Sequence, residues 1–298
     1  LGKRKIFFTI SLVMIIGGFV CMGVNKGATG TALNYSLDFV GGTSTNVTFN
    51  EDMDLSTLDA QVVPVIEKIT KDANVQVQKV AGGNQVIFKT RTLDVDERQA
   101  LTEALVENFG VNSDLITAET ISSTISSEMR SDAIVAVIIA AICMLLYIWF
   151  RFKDLRFATS AVAALLHDVL VVLAFYALAR VSVGSTFIAC MLTIVGYSIN
   201  ATIVIFDRIR ENLGAMSKKD SLDDLVNRSI SQTLSRSIFT SLTTFFMVAA
   251  LFVLGVSSVR EFALPLMVGI VCGTYSSVCI TGALWYVLRT KIGTKKSK

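Results

Sequence analysis

The sequence has 298 residues, of which 52% are hydrophobic and 17% are charged, and its mean hydropathy is +0.61. The hydrophobic residues fall into uncharged runs of about 20 residues, which as helices can cross a bilayer core of about 30 Å. This composition excludes a soluble globular protein and makes the lipid bilayer the first partner of the chain. The net charge of +3 comes from basic residues flanking these runs, so we expect no nucleic-acid partner.

Six of these runs are predicted to be the transmembrane helices of a polytopic α-helical protein. They cover residues 6–24, 133–150, 157–179, 181–206, 237–259 and 262–288, and the third of them is interrupted by His167 and Asp168. The first run follows basic residues, as the core of a signal peptide does, but it exceeds the usual length of about 7–15 residues and no small-residue cleavage site follows. We therefore interpret residues 1–24 as an uncleaved first transmembrane helix and residues 132–290 as a five-helix membrane domain.

The basic residues also indicate orientation, because cytoplasmic flanks retain Lys and Arg. They precede the first run, lie between the second and third and between the fourth and fifth, and form a tail at residues 291–298. The short loops on the opposite side hold only Arg180 and Arg260. The pattern predicts a multi-pass protein of the cell membrane with both termini in the cytoplasm and residues 25–131 outside.

Residues 25–131 are too polar to cross the membrane, and their hydrophobic pattern changes between strand and helix periods. Strands are predicted near residues 45–49, 75–78, 85–90 and 115–121, a turn at 81–84, and helices near 55–69 and 94–109. Pro64 is expected to kink or split the first helix, and Gly110 to end the second. The order β-α-β-β-α-β predicts a small ferredoxin-like α+β domain.

No catalytic or metal-binding pattern is visible along the sequence. The five cysteines all fall within the apolar runs, where a thiol behaves as a small hydrophobic group. The single histidine, His167, has no cysteine or second histidine at ligand spacing. We therefore expect no metal site and no cofactor, and an enzyme is the least favoured class of function because no nucleophile and base are paired.

His167 and Asp168 lie about eleven residues into the third run, roughly 16 Å along a helix and therefore near the middle of the membrane. Ionisable groups at this depth are costly and normally face a helix bundle interior or a cavity. Two interpretations remain open for the pair. Asp168 is either a proton-relay or gating carboxylate, or it belongs to a pair that is satisfied by hydrogen bonds between helices.

The fourth run carries an amide, Asn200, in its apolar part. Its helix is expected to present two adjacent stripes, one with Gly196, Asn200, Val204 and Asp207, and the other with Tyr197, Ala201, Ile205 and Arg208. A lone Asn in a membrane helix more often forms an interhelical hydrogen bond than a transport site. We therefore favour a hydrogen-bonding role for Asn200 and a solvated helix end for Asp207 and Arg208.

The last two runs contain one cation and one pattern of small residues. Arg236 begins the fifth run, where it either snorkels to the membrane interface or points across at the fourth run. In the sixth run, Gly269, Gly273, Ser277 and Thr281 repeat every four residues. This repeat predicts a seam along which another helix packs closely.

Several segments, taken together, resemble the SecD/SecF family of protein-export membrane proteins, and SecF-type subunits in particular. They are LDFVGGTS (37–44), the His167–Asp168 pair, GYSINATIVIFDRIREN (196–212), TLSRSIFTSLTTF (233–245) and GIVCGTYSS (269–277). The segments occur in the family's order and cover nearly the whole chain. Their combination is more specific than any one of them.

The resemblance implies a fold, a mechanism and partners. The fold is one half of a twelve-span resistance-nodulation-division architecture, with SecD as the other half. The mechanism is proton flow through the paired halves, which drives movement of the extracytoplasmic domains. The implied partners are SecD, the Sec translocon channel with its accessory membrane subunits, and an unfolded preprotein.

One position departs from the family pattern. The family usually has an aspartate directly after the asparagine of the fourth span, and this acid is taken to carry protons beside the arginine of span five. Here the residue is Ala201, which cannot titrate. The resemblance then implies that coupling depends on other groups, such as an acid of SecD, with Arg236 as its electrostatic partner and Asn200 as a hydrogen-bonding neighbour.

The other residues carried over from the family are assigned supporting roles. Asp38, Gly41 and Gly42 match its D-F-x-G-G segment, which is expected to shape the chain just outside the first span. Asp207 and Arg208 match a cytoplasmic helix-end cluster that is expected to orient the loop before span five.

Two further functions compete with the export role. A small-molecule or lipid exporter of related architecture would usually have larger external domains and both halves in one chain. A membrane scaffold without transport would not need intramembrane polar groups such as His167, Asp168 and Asn200, although Ala201 weakens that objection.

Overall fold

The computed structural model describes residues 1–73, 75–80, 83–152, 154–217 and 220–293. Lys153, Lys218, Lys219, residues 81 and 82 of the predicted turn, and most of the predicted basic tail lie outside the described residues. The chain forms two compact units. The first, here called the membrane unit, contains Leu1–Asn34 and the chain from Val135 onward, and the second, the sheet unit, is Tyr35–Ile134.

The sheet unit is built on a four-stranded antiparallel sheet. Its elements are α2 (Leu37–Val40), β2 (Gly42–Thr48), α3 (Leu55–Thr57), a π-helical turn (Leu58–Val62), α4 (Val63–Thr70), β3 (Gln76–Lys79), β4 (Gln85–Thr90), α5 (Val95–Phe109), a 3-10 turn (Ser113–Leu115) and β5 (Ile116–Ile121). The strand order is β3-β4-β2-β5, with Val47 of β2 opposite Val86 of β4 and Ile116 of β5. The predicted order of strands and helices is confirmed from β2 to β5.

The core of the sheet unit lies between the sheet and its helices. Val47 and Phe88 are fully buried, and Phe49 packs edge-on against Phe88 with ring centroids 6.3 Å apart. The alternation of apolar and polar residues in β2 and β4 produces this core, because successive side chains of a strand point to opposite faces. The helix near residues 55–69 is split as expected, and the π-helical turn ends directly before the segment that contains Pro64.

The membrane unit contains long apolar helices. They are α1 (Arg4–Thr29), α6 (Ser123–Phe152, which starts in the sheet unit), α7 (Leu155–Ala179), α8 (Ser185–Gly214), α9 (Leu222–Leu254), α10 (Ser257–Tyr275), a π-helical segment (Ser276–Thr281) and α11 (Gly282–Gly293), with short strands β1 (Asn34–Tyr35) and β6 (Ser182–Val183). Within the described residues, six helical stretches are long and apolar enough to cross a membrane, and the last of them continues from α10 to α11. The predicted six-span fold class is confirmed.

Several helix starts differ from the sequence prediction, and α6 begins at Ser123, ten residues before the predicted second run. The fourth span begins at Ser185, because the preceding residues form β6 and Gly184 is extended, with φ −149°. Helix α9 begins at Leu222 rather than near residue 237. Its first turns are polar, and they are stabilised by Ser221, whose hydroxyl accepts from the backbone N–H of Asp224 at 3.1 Å. An apolar window cannot detect such a polar helix start.

Aromatic rings hold one end of the membrane unit together. Phe157 of α7 stacks on Trp285 of α11 with ring centroids 4.9 Å apart, and it meets Phe206 of α8 edge-on at 4.8 Å. All three rings are buried. Burial of rings of this size contributes strongly to packing, so α7, α8 and α11 are tied together at this level.

Candidate functional site

Asp168 lies at the centre of a buried polar cluster in the membrane unit. Its side chain is fully buried, and it accepts hydrogen bonds from side chains of α7, α8 and α10 and of the π-helical segment. The donors are His167, Ser198, Cys272 and Ser276. This is the arrangement that a carboxylate needs in a protein interior, because an unpaired polar group is costly there.

The two carboxylate oxygens of Asp168 have different neighbours. His167 Nδ1 lies 2.9 Å from Oδ1, and the Cys272 thiol donates to the same oxygen at 3.3 Å. The Ser276 hydroxyl donates to Oδ2 at 2.7 Å, and Ser198 also donates to Oδ2. Polar side chains from α7, α8, α10 and the π-helical segment therefore surround both oxygens of the carboxylate.

Small residues let the three elements meet at Asp168. A side chain at Gly269 would lie 2.3 Å from the Ile194 side chain, and one at Gly273 would lie 3.3 Å from Ser198 Cβ. The absence of these side chains brings α10 against α8, so that Ser198 and Cys272 both reach the carboxylate. The predicted seam residues Ser277 and Thr281 are buried in the π-helical segment that follows.

The cluster also continues toward α1. His167 is 8% exposed, its Nε2 atom has no hydrogen-bond partner in the described part of the chain, and its ring lies 6.1 Å from that of Tyr275. The Tyr275 hydroxyl donates to the Phe7 carbonyl at 2.9 Å and lies 3.3 Å from Ser11 Oγ. The ring of His167 thus lies between Asp168 and Tyr275, and Tyr275 in turn contacts the first membrane helix.

The sequence indicated Asp168 and His167 but missed their partners from other helices. Cys272, interpreted as a small hydrophobic group, acts as a hydrogen-bond donor, and Ser276 had no assigned role. The atoms of His167, Asp168 and Cys272 that could bind a metal lie within 4.8 Å of one another, so these residues could hold a metal ion. The spacing argument against metal did not cover this set, because Cys272 lies 104 residues from Asp168.

The residues around Asn200 form a separate surface and do not join the Asp168 cluster. Gly196 and Asn200 are exposed on α8, Tyr197 and Ala201 are half-buried beside them, and Arg236 is exposed on α9. No side chain among the described residues hydrogen-bonds the Asn200 amide or the Arg236 guanidinium. The hydrogen bond expected for Asn200 is therefore not formed within this part of the chain, and the Arg236 side chain forms no hydrogen bond to the described residues of span four.

Asp207 and Arg208 lie where α8 meets the end of α6. Arg151 Nη2 of α6 forms an ion pair with Asp207 Oδ2 at 2.6 Å, and Arg210 lies 3.5 Å from the other carboxylate oxygen. Arg208 pairs with Glu211 of its own helix at 2.6 Å. Asp207 is therefore more than a solvated helix end, because it joins two membrane helices.

The segment that contains Asp38, Gly41 and Gly42 turns the chain from α2 into β2. Gly41 has φ +75° and Gly42 has φ +116°, a region that favours glycine. A Cβ atom at Gly42 would lie 2.3 Å from the Thr90 carbonyl oxygen. Larger residues would therefore strain both positions, while Asp38 lies half-buried in α2.

Comparison with known proteins gives a consistent family. The family model "Protein export membrane protein SecD/SecF, C-terminal" matches residues 101–291. The chain is 37% identical to the protein translocase subunit SecF of Sebaldella termitidis over 286 residues, which cover 96% of this chain and 90% of that protein. It is 34% identical to the protein translocase subunit SecDF of Bacillus subtilis, covering 95% of this chain and 37% of that protein.

A solved structure is similar over almost the whole chain. The crystal structure of SecDF from Thermus thermophilus, a translocon-associated membrane protein, superimposes with a TM-score of 0.82 at 34% identity. The match covers 98% of this chain and 39% of that chain. The chain thus spans about two-fifths of the SecDF proteins it resembles, and nearly all of the SecF subunit.

Proposed function

The chain belongs to the SecF family of protein translocase subunits, and from this premise we propose that it assists Sec-dependent protein export across the cytoplasmic membrane as the partner of SecD. Its family relatives support a role in protein translocation. This sequence matches one part of the longer SecDF chains. In this proposal, a separate SecD chain corresponds to the part of SecDF that this sequence does not match. The translocon channel and an unfolded preprotein are the further partners in this proposal.

We place the proton-coupling group at Asp168. The observation that carries this assignment is a fully buried carboxylate near mid-membrane, held by donors from three helices and adjacent to a histidine. Ionisable groups at such positions commonly mark proton or ion pathways. Uptake of a proton would turn one oxygen of Asp168 into a hydrogen-bond donor, so the partners of that oxygen would have to rearrange, and this would change the contacts between α7 and the helix that supplies them.

Asn200, Ala201 and Arg236 have a different role in this proposal. Ala201 cannot bind a proton, and the exposed Asn200 amide and Arg236 guanidinium point away from the packed interior of the membrane unit. They would therefore meet an acid of SecD rather than a group of this chain. Proton transfer would use that acid together with Asp168, and the sheet unit would move in response. Both termini of the chain lie in the cytoplasm in this proposal.

The test is a pulse-chase of a reporter with a signal peptide in cells depleted of this chain, with dye efflux measured in parallel. We expect precursor to accumulate on depletion while efflux stays normal. Wild-type protein should restore processing of the precursor. Cells that carry Asp168→Asn should process it as slowly as wild-type cells treated with a protonophore. Glu107→Gln, at an exposed position of α5, is the control for expression.

Other outcomes would favour the competing functions. Normal secretion with altered efflux would indicate a small-molecule or lipid exporter. Normal secretion and normal efflux would indicate a scaffold that does not transport. If depletion slows export and Asp168→Asn fully restores it, the export role stands but Asp168 has no part in proton coupling.

A further inference from the structure

An apolar groove runs along the membrane unit between α9 and the last span. It has a volume of about 460 Å³, and its lining includes Leu234, Ile238, Leu242, Ile270, Val271 and Val278. Its rim is open, since Leu234 is 36% and Val271 57% exposed. Exposed apolar side chains of a membrane helix face either lipid tails or the apolar face of another helix.

The polar groups in the groove are already satisfied. The Thr274 hydroxyl lies 2.6 Å from Ser241 Oγ and 2.7 Å from the Ile270 carbonyl oxygen, and Ser241 in turn lies 2.8 Å from the Ser237 carbonyl oxygen. These hydroxyls therefore need no hydrogen bond from an occupant. The groove therefore suits a hydrocarbon chain, which forms no hydrogen bonds.

The length of the groove fits one leaflet of a bilayer. On α9 its lining extends from Leu234 to Phe245, which corresponds to about 16 Å of helix. Half of a bilayer core is about 15 Å thick. An acyl chain that enters at one end would therefore fill the groove without reaching the other leaflet.

Basic residues lie beyond one end of the groove. Asn227 lies two turns before Leu234 on the same face of α9, and its Oδ1 atom accepts from the Leu1 nitrogen at 2.6 Å. Lys3, Arg4 and Lys5 follow directly, and the Arg4 guanidinium lies 5.2 Å from the Tyr286 ring. Tyr286 lies two turns beyond Cys279, which lines the groove. The Leu1 nitrogen and the Arg4 guanidinium are thus about 10 Å past the end of the groove, at headgroup distance from an acyl chain within it.

We propose that this groove binds an acyl chain of an anionic phospholipid, whose phosphate is held by the basic segment of residues 3–5. Basic residues beside an interhelical groove bind anionic lipid headgroups in this way. A protein partner is better suited to another surface, since Arg236 lies about 200° around α9 from Leu234 and Asn200 lies on the exposed stripe of α8. Those polar groups need partners that lipid tails cannot supply.

The experiment is lipid binding to the purified full chain, measured by native mass spectrometry with dioleoyl phosphatidylglycerol or dioleoyl phosphatidylcholine as the probe. We expect phosphatidylglycerol to be retained preferentially. Lys5→Gln should weaken its binding about fivefold, which corresponds to about 1 kcal/mol per basic residue. Lys26→Gln, at the other end of α1, should leave binding unchanged, and phosphatidylcholine should respond to neither change.

A second pair of variants tests the groove itself. Val271→Trp fills the groove from its open rim and should abolish the preferred binding of phosphatidylglycerol, whereas Val253→Trp, at a comparably exposed position outside the lining, should not. Equal retention of the two lipids, or binding that survives Val271→Trp, would overturn the proposal. Loss of the lipid when a SecD chain is bound would also overturn it, because the groove would then be a protein contact.

Discussion

Asp168 accepts hydrogen bonds from four side chains, and each of these donors contributes differently to the cluster. Ser276 donates to Oδ2 from the first residue of the π-helical segment, while its neighbour Ser277, as far as the described residues go, donates only to the Thr274 carbonyl. Hydrogen bonds to a charged group contribute more than hydrogen bonds between neutral groups. The two adjacent serines therefore offer a matched comparison within one turn.

We predict that Ser276→Ala lowers the free energy of unfolding by about 1.5–3 kcal/mol, and Ser277→Ala by less than about 1.5 kcal/mol. Thermal unfolding of the purified chain measures both. In an Asp168→Asn background the cost of Ser276→Ala should fall to about 1 kcal/mol, because an amide oxygen is a weaker hydrogen-bond acceptor than a carboxylate oxygen. A cost that does not depend on Asp168 would mean that Ser276 stabilises only its own helix.

Helix α5 of the sheet unit begins with a capping box that is also linked to Arg91. Asp94 Oδ1 accepts from the backbone N–H of Glu97 at 2.7 Å, and Glu97 Oε2 accepts from Arg91 Nη1 at 3.0 Å. Hydrogen bonding from Arg91, followed by that from the Asp94 backbone, holds the pKa of Glu97 below its usual value. A lowered carboxyl pKa stabilises the fold above the unfolded-state value of about 4.3, and this stabilisation disappears as the pH falls through the folded-state value.

We predict that protection of the first α5 amides against hydrogen exchange, corrected for the intrinsic rate, declines as the pH is lowered from about 5 toward 3. Glu97→Gln should remove most of this dependence. Glu107→Gln, at an exposed site later in the same helix, should retain it. If both variants keep the wild-type pH profile, the Arg91–Glu97 pair does not control the start of the helix.

The elements that were predictable from sequence are those whose signal is local. Strand β4 and the end of α5 at Gly110 follow from alternation and from a helix stop, both of which act over a few residues. The polar start of α9 was missed because its stability comes from a cap rather than from apolar residues. Cys272 and Ser276 could not be assigned to Asp168 because their contacts depend on how α7 and α10 pack, which a single sequence does not reveal.

The exposed stripe of α8 indicates that another protein covers this face of the membrane unit in the bilayer. Gly196 and Asn200 lie on this stripe, and the chain spans only about two-fifths of the SecDF proteins it resembles. A polar amide facing lipid is unfavourable, so a SecD chain is the expected cover. This explains why the role of Asn200 was not predictable from this sequence alone.

We predict that Ala201→Asp makes export by the reconstituted pair with SecD depend more strongly on a proton gradient, by about tenfold. The physical reason is that an acid would then lie beside Asn200 on the surface assigned to SecD. Export with and without an imposed gradient is the measurement. Ala189→Asp, about three turns earlier at an exposed position of α8, is the control for added charge. An equal response of the two variants would remove the special role of position 201.

The π-helical segment at Ser276–Thr281 has a consequence for the last span as a whole. A π turn holds more residues than an α turn, and each residue of an α-helix turns the chain by about 100°. Before the segment, Gly269 and Gly273 face α8, and after it Trp285 stacks on Phe157 of α7. The segment therefore rotates the second half of the span about the helix axis relative to the first half. This rotation lets one span pack closely against α8 with its first half and against α7 with its second half.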